Sequence, residues 1–254
     1  MTTPTITPNN YNDFDPRRYL EEYYATVVPE NRELLRFLVE SFESLPPDLD
    51  VLDFGGGPCL YTALTAARTA GTIIHAEYLT GNRHEVDSWQ RAVPAAFDWS
   101  ETIHAILELE RIEPTTAAIA ARVARSRTAI MSVIACDAHA DPPLAAPHLF
   151  DVLVTNLCLE AVAVNILEWR AILKRVVGLI KPGGTLLMTM VNSGYAYPVG
   201  DTLFGVLTLC EDDFRAAARD AGLDEASIHV RLTPADHPVH RYDGLLFIRA
   251  TTSR

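Results

Sequence analysis

Asp53-Phe54-Gly55-Gly56-Gly57-Pro58-Cys59 is the stretch whose reading decides the fold. The apolar pair Val51-Leu52 precedes it, and Leu60-Tyr61-Thr62-Ala63-Leu64-Thr65-Ala66-Ala67 follows. The first side reads as the end of a buried strand and the second as a helix. Glycine tolerates φ > 0 and lets another molecule approach the backbone closely. Strand, glycine turn and helix in this order open many nucleotide-binding α/β folds. A tight turn without a ligand is the competing reading, and a lone glycine cluster leaves the two about even.

Spacing narrows the choice. A dinucleotide fingerprint needs Gly-x-Gly-x-x-Gly, but Leu60 stands at the third glycine position. Pro58 has no N–H to offer a phosphate, and no Lys-Ser/Thr pair follows, so this is not a phosphate-binding P-loop. The turn suits a nucleoside that brings no phosphate. Glu77 closes the next apolar run, Thr72-Ile73-Ile74-His75-Ala76, about 20 residues past Gly57, where such folds place the carboxylate that holds ribose hydroxyls. Together these favour S-adenosylmethionine over NAD.

The 254 residues are within reach of one large α/β domain, and 48% hydrophobic residues suffice for its core. A net charge of −12 argues against a nucleic-acid partner bound through phosphates and suits a cationic small molecule. Cys59, Cys136, Cys158 and Cys210 form no C-x-x-C pair, so a reducing compartment, the cytoplasm, is expected, and no zinc. The polar N-terminus shows no signal peptide. No run approaches about 18 apolar residues, so no membrane span is expected.

Working outward, residues 1–10 read as disordered or lid-like. Tyr11, Tyr19, Tyr23 and Tyr24 crowd a short segment and suggest a lid over a flat aromatic ligand. Helix spacing runs over Asn31–Leu45, ended by Pro46-Pro47. Strands are expected at about 50–54, 72–77, 129–135, 151–155, 185–191, 228–232 and 245–250. Helices are expected after the first strand and over about 82–91, 115–127 and 166–180. A further helix begins at a capping box, Thr208-Leu209-Cys210-Glu211, and ends at Gly222. Phe97-Asp98-Trp99-Ser100 reads as a turn. Strands alternating with helices predict a Rossmann-like, doubly wound, mostly parallel seven-stranded sheet with its last strand antiparallel. Residues 1–45 would form an N-terminal helical lid and 46–254 the core of the same domain. The ligand belongs beyond the carboxyl ends of the strands, beside Gly55–Gly57, Glu77, Asp137, Thr155 and Asn156.

The chain resembles the small-molecule amine N-methyltransferases typified by the phenylethanolamine, nicotinamide and indolethylamine enzymes. The resemblance runs from Tyr11 to about Ala250. It is carried by Phe14-x-Pro16-Arg17-x-Tyr19-Leu20, Gly55-x-Gly57-Pro58-x-x-Tyr61, Asn82-Arg83, Phe97-Asp98-Trp99-Ser100, Asp137, Leu157-Cys158-Leu159-Glu160-Ala161-Val162 and Lys181-Pro182-Gly183-Gly184. It implies a class I methyltransferase that uses S-adenosylmethionine and releases S-adenosylhomocysteine. It implies that Tyr11, Tyr19 and Tyr24 close over cofactor and substrate, and that Gly55, Gly56 and Gly57 face the methionine part near Tyr61 and Asn82. Glu77 would hold the ribose, Tyr78 flank the adenine, and Asp137 and Ala138 contact its edge. Asn156 and Leu157 would border the methyl group. Glu160 would sit at the substrate amine, attracting the ammonium and taking its proton; the competing reading is a solvated glutamate at a helix N-terminus. Tyr24 and His240 are further proton-handling candidates. A monomer is expected by analogy.

The departures bear on the substrate. Met190 and Val206 replace the polar pair that meets the carboxamide in the nicotinamide enzyme, so an amide there would lose its partners. Gly194 replaces a second glutamate of the phenylethanolamine enzyme, and His240 falls near its aspartate. A flat or apolar amine of indole or arylalkyl type is expected, walled by Tyr19, Leu157, Met190, Tyr195, Tyr197 and Val206. Transfer to oxygen or carbon, a catalytically inactive cofactor-binding protein and an NAD-dependent oxidoreductase remain as alternatives. His237 and His240 lack a third partner for a metal.

Overall fold

The structure, a computed structural model, describes residues 11–146, 148–235 and 241–253. Its sheet begins where the glycine turn predicts it. Strand β1 (Leu49–Phe54) pairs in parallel with β2 (Ala70–Glu77) on one side and β4 (Phe150–Asn156) on the other. β3 (Ile130–Ala135) lies outside β2, and β5 (Ile180–Asn192) pairs with β4. β9 (Gly244–Thr251) runs antiparallel between β5 and β8 (His229–Pro234). The order is β3-β2-β1-β4-β5-β9-β8, with the last strand in sequence the one reversed, as expected. A hairpin of β6 (Ala196–Val199) and β7 (Thr202–Gly205) forms a second small sheet that the sequence reading did not anticipate.

Both faces of the sheet are covered, which explains the unbroken apolar runs of its inner strands. Side chains alternate across a strand. Val51, Val152, Val154 and Leu187 therefore join one core, with Leu34, Leu38, Phe42, Leu64, Ile103 and Ile106. Leu52, Leu153, Leu186, Met188 and Met190 join the other, with Trp169, Leu173, Val176, Phe214 and Ala218. The first core uses α2 (Pro29–Glu43), α3 (Tyr61–Ala66) and α5 (Ser100–Leu109). The second uses α8 (Ile166–Val177) and α9 (Glu211–Ala221). α1 (Pro16–Tyr23) carries the first tyrosines, α4 (Thr80–Gln90) follows β2, α6 (Thr116–Ala129) precedes β3, and the short α7 (Leu159–Val162) follows β4.

Local chemistry sets the helix ends. Asp15 accepts from Arg18 N at the start of α1, with Pro16 at the first helical position, where its missing N–H costs nothing. Asn165 accepts from Leu167 N and Glu168 N, each at 3.0 Å, at the start of α8. Gly222, at φ +96, ends α9. The expected capping box at Thr208 is corrected. The cap is Cys210, whose N–H donates to Asp213 Oδ2 at 3.0 Å. A three-residue offset places Cys210 and Asp213 on one turn, so either registry fits the local sequence and packing selects one. α5 was missed because Phe97–Ser100 reads as a turn; Ile103, Ile106 and Leu107 nevertheless bury a helical face. The helix expected to run to Ile180 stops at Val177, and Ile180 already pairs with Phe150 in the sheet.

Candidate active site

Four strands deliver their carboxyl ends to one rim. β1 supplies Gly55–Gly57, β2 Glu77, β3 Cys136 to Ala138, and β4 Asn156 to Cys158. Between them lies a cavity of about 260 Å³ that Tyr11, Phe14, Tyr19 and Tyr197 cover. Gly55 (φ +65) and Gly57 (φ +63) both occupy the left-handed region. A Cβ on Gly55 would stand 2.1 Å from Cys158 Sγ, so the turn between β4 and α7 packs against the bare backbone there. A Cβ on Gly57 would meet nothing within 4 Å. That open side faces the cavity. Leu157 sits at φ +53, a strained state for a non-glycine residue, directly at the rim.

The Glu77 carboxylate is held by three donors. Its Oε2 accepts from Gly57 N at 3.0 Å, and its Oε1 accepts from Leu79 N at 2.8 Å and Asn82 Nδ2 at 3.0 Å. Arg83 Nη1 donates to the Glu77 carbonyl at 2.7 Å and also holds that of Tyr78, fixing the turn. Asp137 Oδ1 accepts from His139 N at 2.9 Å, and Asp137 lines the cavity rim. Asn82 and Asn156 each keep a buried side-chain oxygen without a protein partner among the described residues. Such acceptors are costly when left dry. This donor and acceptor set fits an adenosyl group: a carboxylate for sugar hydroxyls, a bare backbone for the methionine part, and Asp137 for an exocyclic amine. S-adenosylmethionine bound here would supply an electrophilic methyl carbon and its own leaving group.

A second cavity of about 110 Å³ adjoins the first. Tyr19, Leu157 and Tyr197 line both and form the neck. Beyond it stand Tyr23, Tyr24, Val206 and two carboxylates, Glu30 and Glu160. Glu160 is fully buried. Its Oε1 accepts from Val191 N at 2.9 Å, and its Oε2 has no hydrogen-bond partner among the described residues. Burial pushes its carboxyl up to about 7, against the bond from Val191. Glu160 acts electrostatically on Tyr11 and Cys158, both of which line the larger cavity. Glu30 accepts from the Tyr242 hydroxyl. Burial raises the hydroxyls of Tyr19, Tyr24, Tyr61 and Tyr197 well above their ordinary value, so all four are neutral donors at neutral pH.

The structure brings together most residues the sequence singled out. Tyr11, Tyr19, Gly55, Gly56, Gly57, Tyr61, Glu77, Tyr78, Asn82, Asp137, Ala138, Asn156 and Leu157 line the larger cavity. Tyr24, Glu160 and Val206 line only the smaller one, and Tyr197 lines both. Two expected walls, Met190 and Tyr195, and the substituted position Gly194 are displaced. Met190 is fully buried in the core on the α8–α9 side and borders neither cavity; Val191, one residue on, faces the pocket. Gly194 and Tyr195 border neither; Val191 Cγ1 would lie 2.3 Å from a Cβ on Gly194, and Tyr195 is half exposed. His240 and His237 lie outside the described residues. Glu30, Asn31, Tyr242 and Leu245 were missed, because neither α2 nor the segment leading into β9 carries a motif for them. Cys59, Cys136 and Cys158, which carry no site motif in the sequence, also border the larger cavity. No metal-binding cluster occurs among the described residues, and no described helix is long and apolar enough to cross a membrane.

Comparison with known proteins agrees with this geometry. The chain is 32% identical over 221 residues to nicotinamide N-methyltransferase of Sus scrofa, covering 82% of this chain and 81% of the relative. It is 30% identical over 247 residues to indolethylamine N-methyltransferase of Mus musculus, covering 94% and 92%. It is also 30% identical to mouse phenylethanolamine N-methyltransferase over 241 residues, covering 89% and 79%. Among solved structures, the N-methyltransferase NodS of Bradyrhizobium japonicum in complex with S-adenosylhomocysteine shares the fold. Its TM-score is 0.56 at 14% identity, over 94% of this chain and 99% of that one. A family model matches residues 4–253. The chain belongs to the NNMT/PNMT/TEMT family and is an S-adenosylmethionine-dependent methyltransferase.

Proposed function

We propose that this enzyme methylates the nitrogen of a small aromatic or arylalkyl amine, seated in the smaller cavity and facing the methyl donor across the Tyr19–Leu157–Tyr197 neck. The observation that carries the reading is Glu160, a buried carboxyl lining the smaller cavity, with one oxygen tied to Val191 N and the other without a partner among the described residues. An amine arrives from water as an ammonium, and its lone pair is then unavailable. The ionised Glu160 attracts that ammonium and accepts its proton as the nitrogen becomes nucleophilic. Tyr19, Tyr23, Tyr24 and Tyr197 offer ring faces that hold a flat amine and favour its cationic form.

The transfer needs no covalent enzyme intermediate. Gly55–Gly57 and Glu77 fix the donor, the tyrosines fix the acceptor, and alignment in a dry site contributes up to about 7–11 kcal/mol in favourable cases. The relatives act, by their names, on nicotinamide, indolethylamine and phenylethanolamine. Val206 at the pocket and Met190 behind it offer no amide partner, which favours an amine of indole or arylalkyl type. The reading includes a monomer in a reducing compartment, supported by four free cysteines. A panel of amines, phenols and carbon acids assayed with S-adenosylmethionine tests it. Methyl transfer to an arylalkyl amine is expected. Turnover of phenols or carbon acids with no amine methylated would overturn it.

A further inference from the structure

Beneath the glycine turn lies a buried pair that the methyl-transfer chemistry does not use. Asp53 and His75 face each other across β1 and β2 as register partners, and each is almost wholly buried. His75 Nδ1 lies 3.0 Å from Asp53 Oδ2, and His75 Nε2 lies 3.0 Å from the Gly57 carbonyl oxygen. The ring fills the space under Gly56, where a Cβ would come within 2.4 Å of His75 Cε1 and 2.6 Å of Asp53 Oδ2. The middle glycine of the triplet is thus required by the histidine below it rather than by a ligand above.

Hydrogen-bond chemistry restricts the protons. A carbonyl oxygen only accepts, so Nε2 must carry a hydrogen. A carboxylate also only accepts, so Nδ1 must carry one too. We propose that His75 is a doubly donating imidazolium, ion-paired with Asp53, and that it positions the Gly57 peptide for the cofactor. The consequence reaches the sugar site. Gly57 N–H donates to Glu77 Oε2 at 3.0 Å while its carbonyl accepts from His75. Both polar groups of one left-handed glycine are pinned, one by a cation below and one by the carboxylate beside the cavity. Loss of the ring proton would release one end of this clamp and let the Gly57–Pro58 peptide turn.

The charged groups facing the ring are Asp53 from β1 and Glu77 from the end of its own strand. Cys59 and Tyr61 on the adjoining turn and α3 face Asp53, and burial keeps both protonated. Burial alone would push the imidazole down. The hydrogen bond and charge of Asp53, with Glu77 and the Gly57 carbonyl, more than offset this and hold it above its ordinary value. The clamp is therefore complete at low pH and opens as pH rises through the pair's titration.

This inference rests on the adenosyl group lying at Gly55–Gly57, and its test separates the two claims. Imidazole nitrogen NMR of the full chain, with His75 assigned by its loss in His75→Gln, should show both ring nitrogens protonated at neutral pH. Asp53→Asn is the diagnostic variant: its amide can donate to Nδ1 of a neutral ring, which keeps both hydrogen bonds with one proton fewer. That ring should read as protonated at Nε2 alone. Calorimetry with S-adenosylhomocysteine should show native affinity falling as pH rises, by a margin absent from Asp53→Asn. His75→Gln should weaken binding about tenfold or more. A singly protonated native ring, or equal pH profiles for native and Asp53→Asn, would overturn the proposal. The NMR arm needs no cofactor. A chain that ignored S-adenosylhomocysteine would thus remove the cofactor placement while the ring signal still decided the proton.

Discussion

Replacing Glu160 with Gln should make the enzyme slower and, at alkaline pH, more stable. Glu160 is fully buried, with its carboxyl raised from an ordinary 4.5 to about 7. A raised carboxyl pKa means that the folded state holds its proton more tightly than the unfolded chain. The protein therefore loses stability as pH climbs from the unfolded value through the folded one. At about 1.4 kcal/mol per pH unit, ionising Glu160 in place costs about 3 kcal/mol by pH 8. The Glu160→Gln side chain can still accept from Val191 N and carries no charge. The variant should melt close to the native protein at pH 5, where Glu160 is neutral. It should melt roughly 5–10 °C higher at pH 8, as expected for that energy in a chain of this size. Over the same range, native kcat/KM should rise with pH and level off above about 7. The variant should lose that inflection together with about 100-fold or more of the rate. Thermal melts and initial rates at matched pH read both effects. A melting difference that stays constant from pH 5 to 8 would refute the reasoning, because Glu160 would then not be the buried group that titrates. Native-like turnover would refute its role as proton acceptor.

Other positions test other parts of the site. Gly55→Ala would force a Cβ within 2.1 Å of Cys158 Sγ at a φ of +65, so loss of S-adenosylhomocysteine binding is expected by calorimetry. Glu77→Ala removes the acceptor shared by Gly57, Leu79 and Asn82, and should raise KM for the methyl donor about tenfold or more while moving KM for the amine little. Tyr197→Ala opens the neck and should raise KM for the amine above that for the donor in steady-state kinetics. Far from the site, Arg122 pairs with Glu110 in the interior and donates to Leu64 O at 2.9 Å. Arg122→Ala should cost about 3–5 kcal/mol of unfolding free energy in denaturant titration, leaving a buried carboxylate unpaired.

The strands, the glycine turn and Glu77 were legible because their signals are local. An apolar run, a glycine triplet and a carboxylate at the next strand end all lie within one β–α–β unit. Met190 shows the limit. It belongs to the right strand, but side chains alternate, so one residue decides between the α8–α9 core and the pocket, and Val191 takes the pocket. Glu30 and Tyr242 reach the smaller cavity from elements far apart in sequence, and nothing near either one announces it. The cap of α9 moved to Cys210 because two overlapping patterns compete there and packing selects between them.

Sequence alone therefore determined the sheet class and the placing of the glycine turn and Glu77 at neighbouring strand ends, since each follows from residue type and short spacing, while Glu160 was singled out by the family resemblance. Tertiary structure alone decided what those residues meet. β1–β2 register puts His75 under Gly56, and the approach of α1, α2 and β6 closes the smaller cavity. Buried charge and hydrogen-bond geometry depend on which strands become neighbours, and only the folded chain brings those strands together.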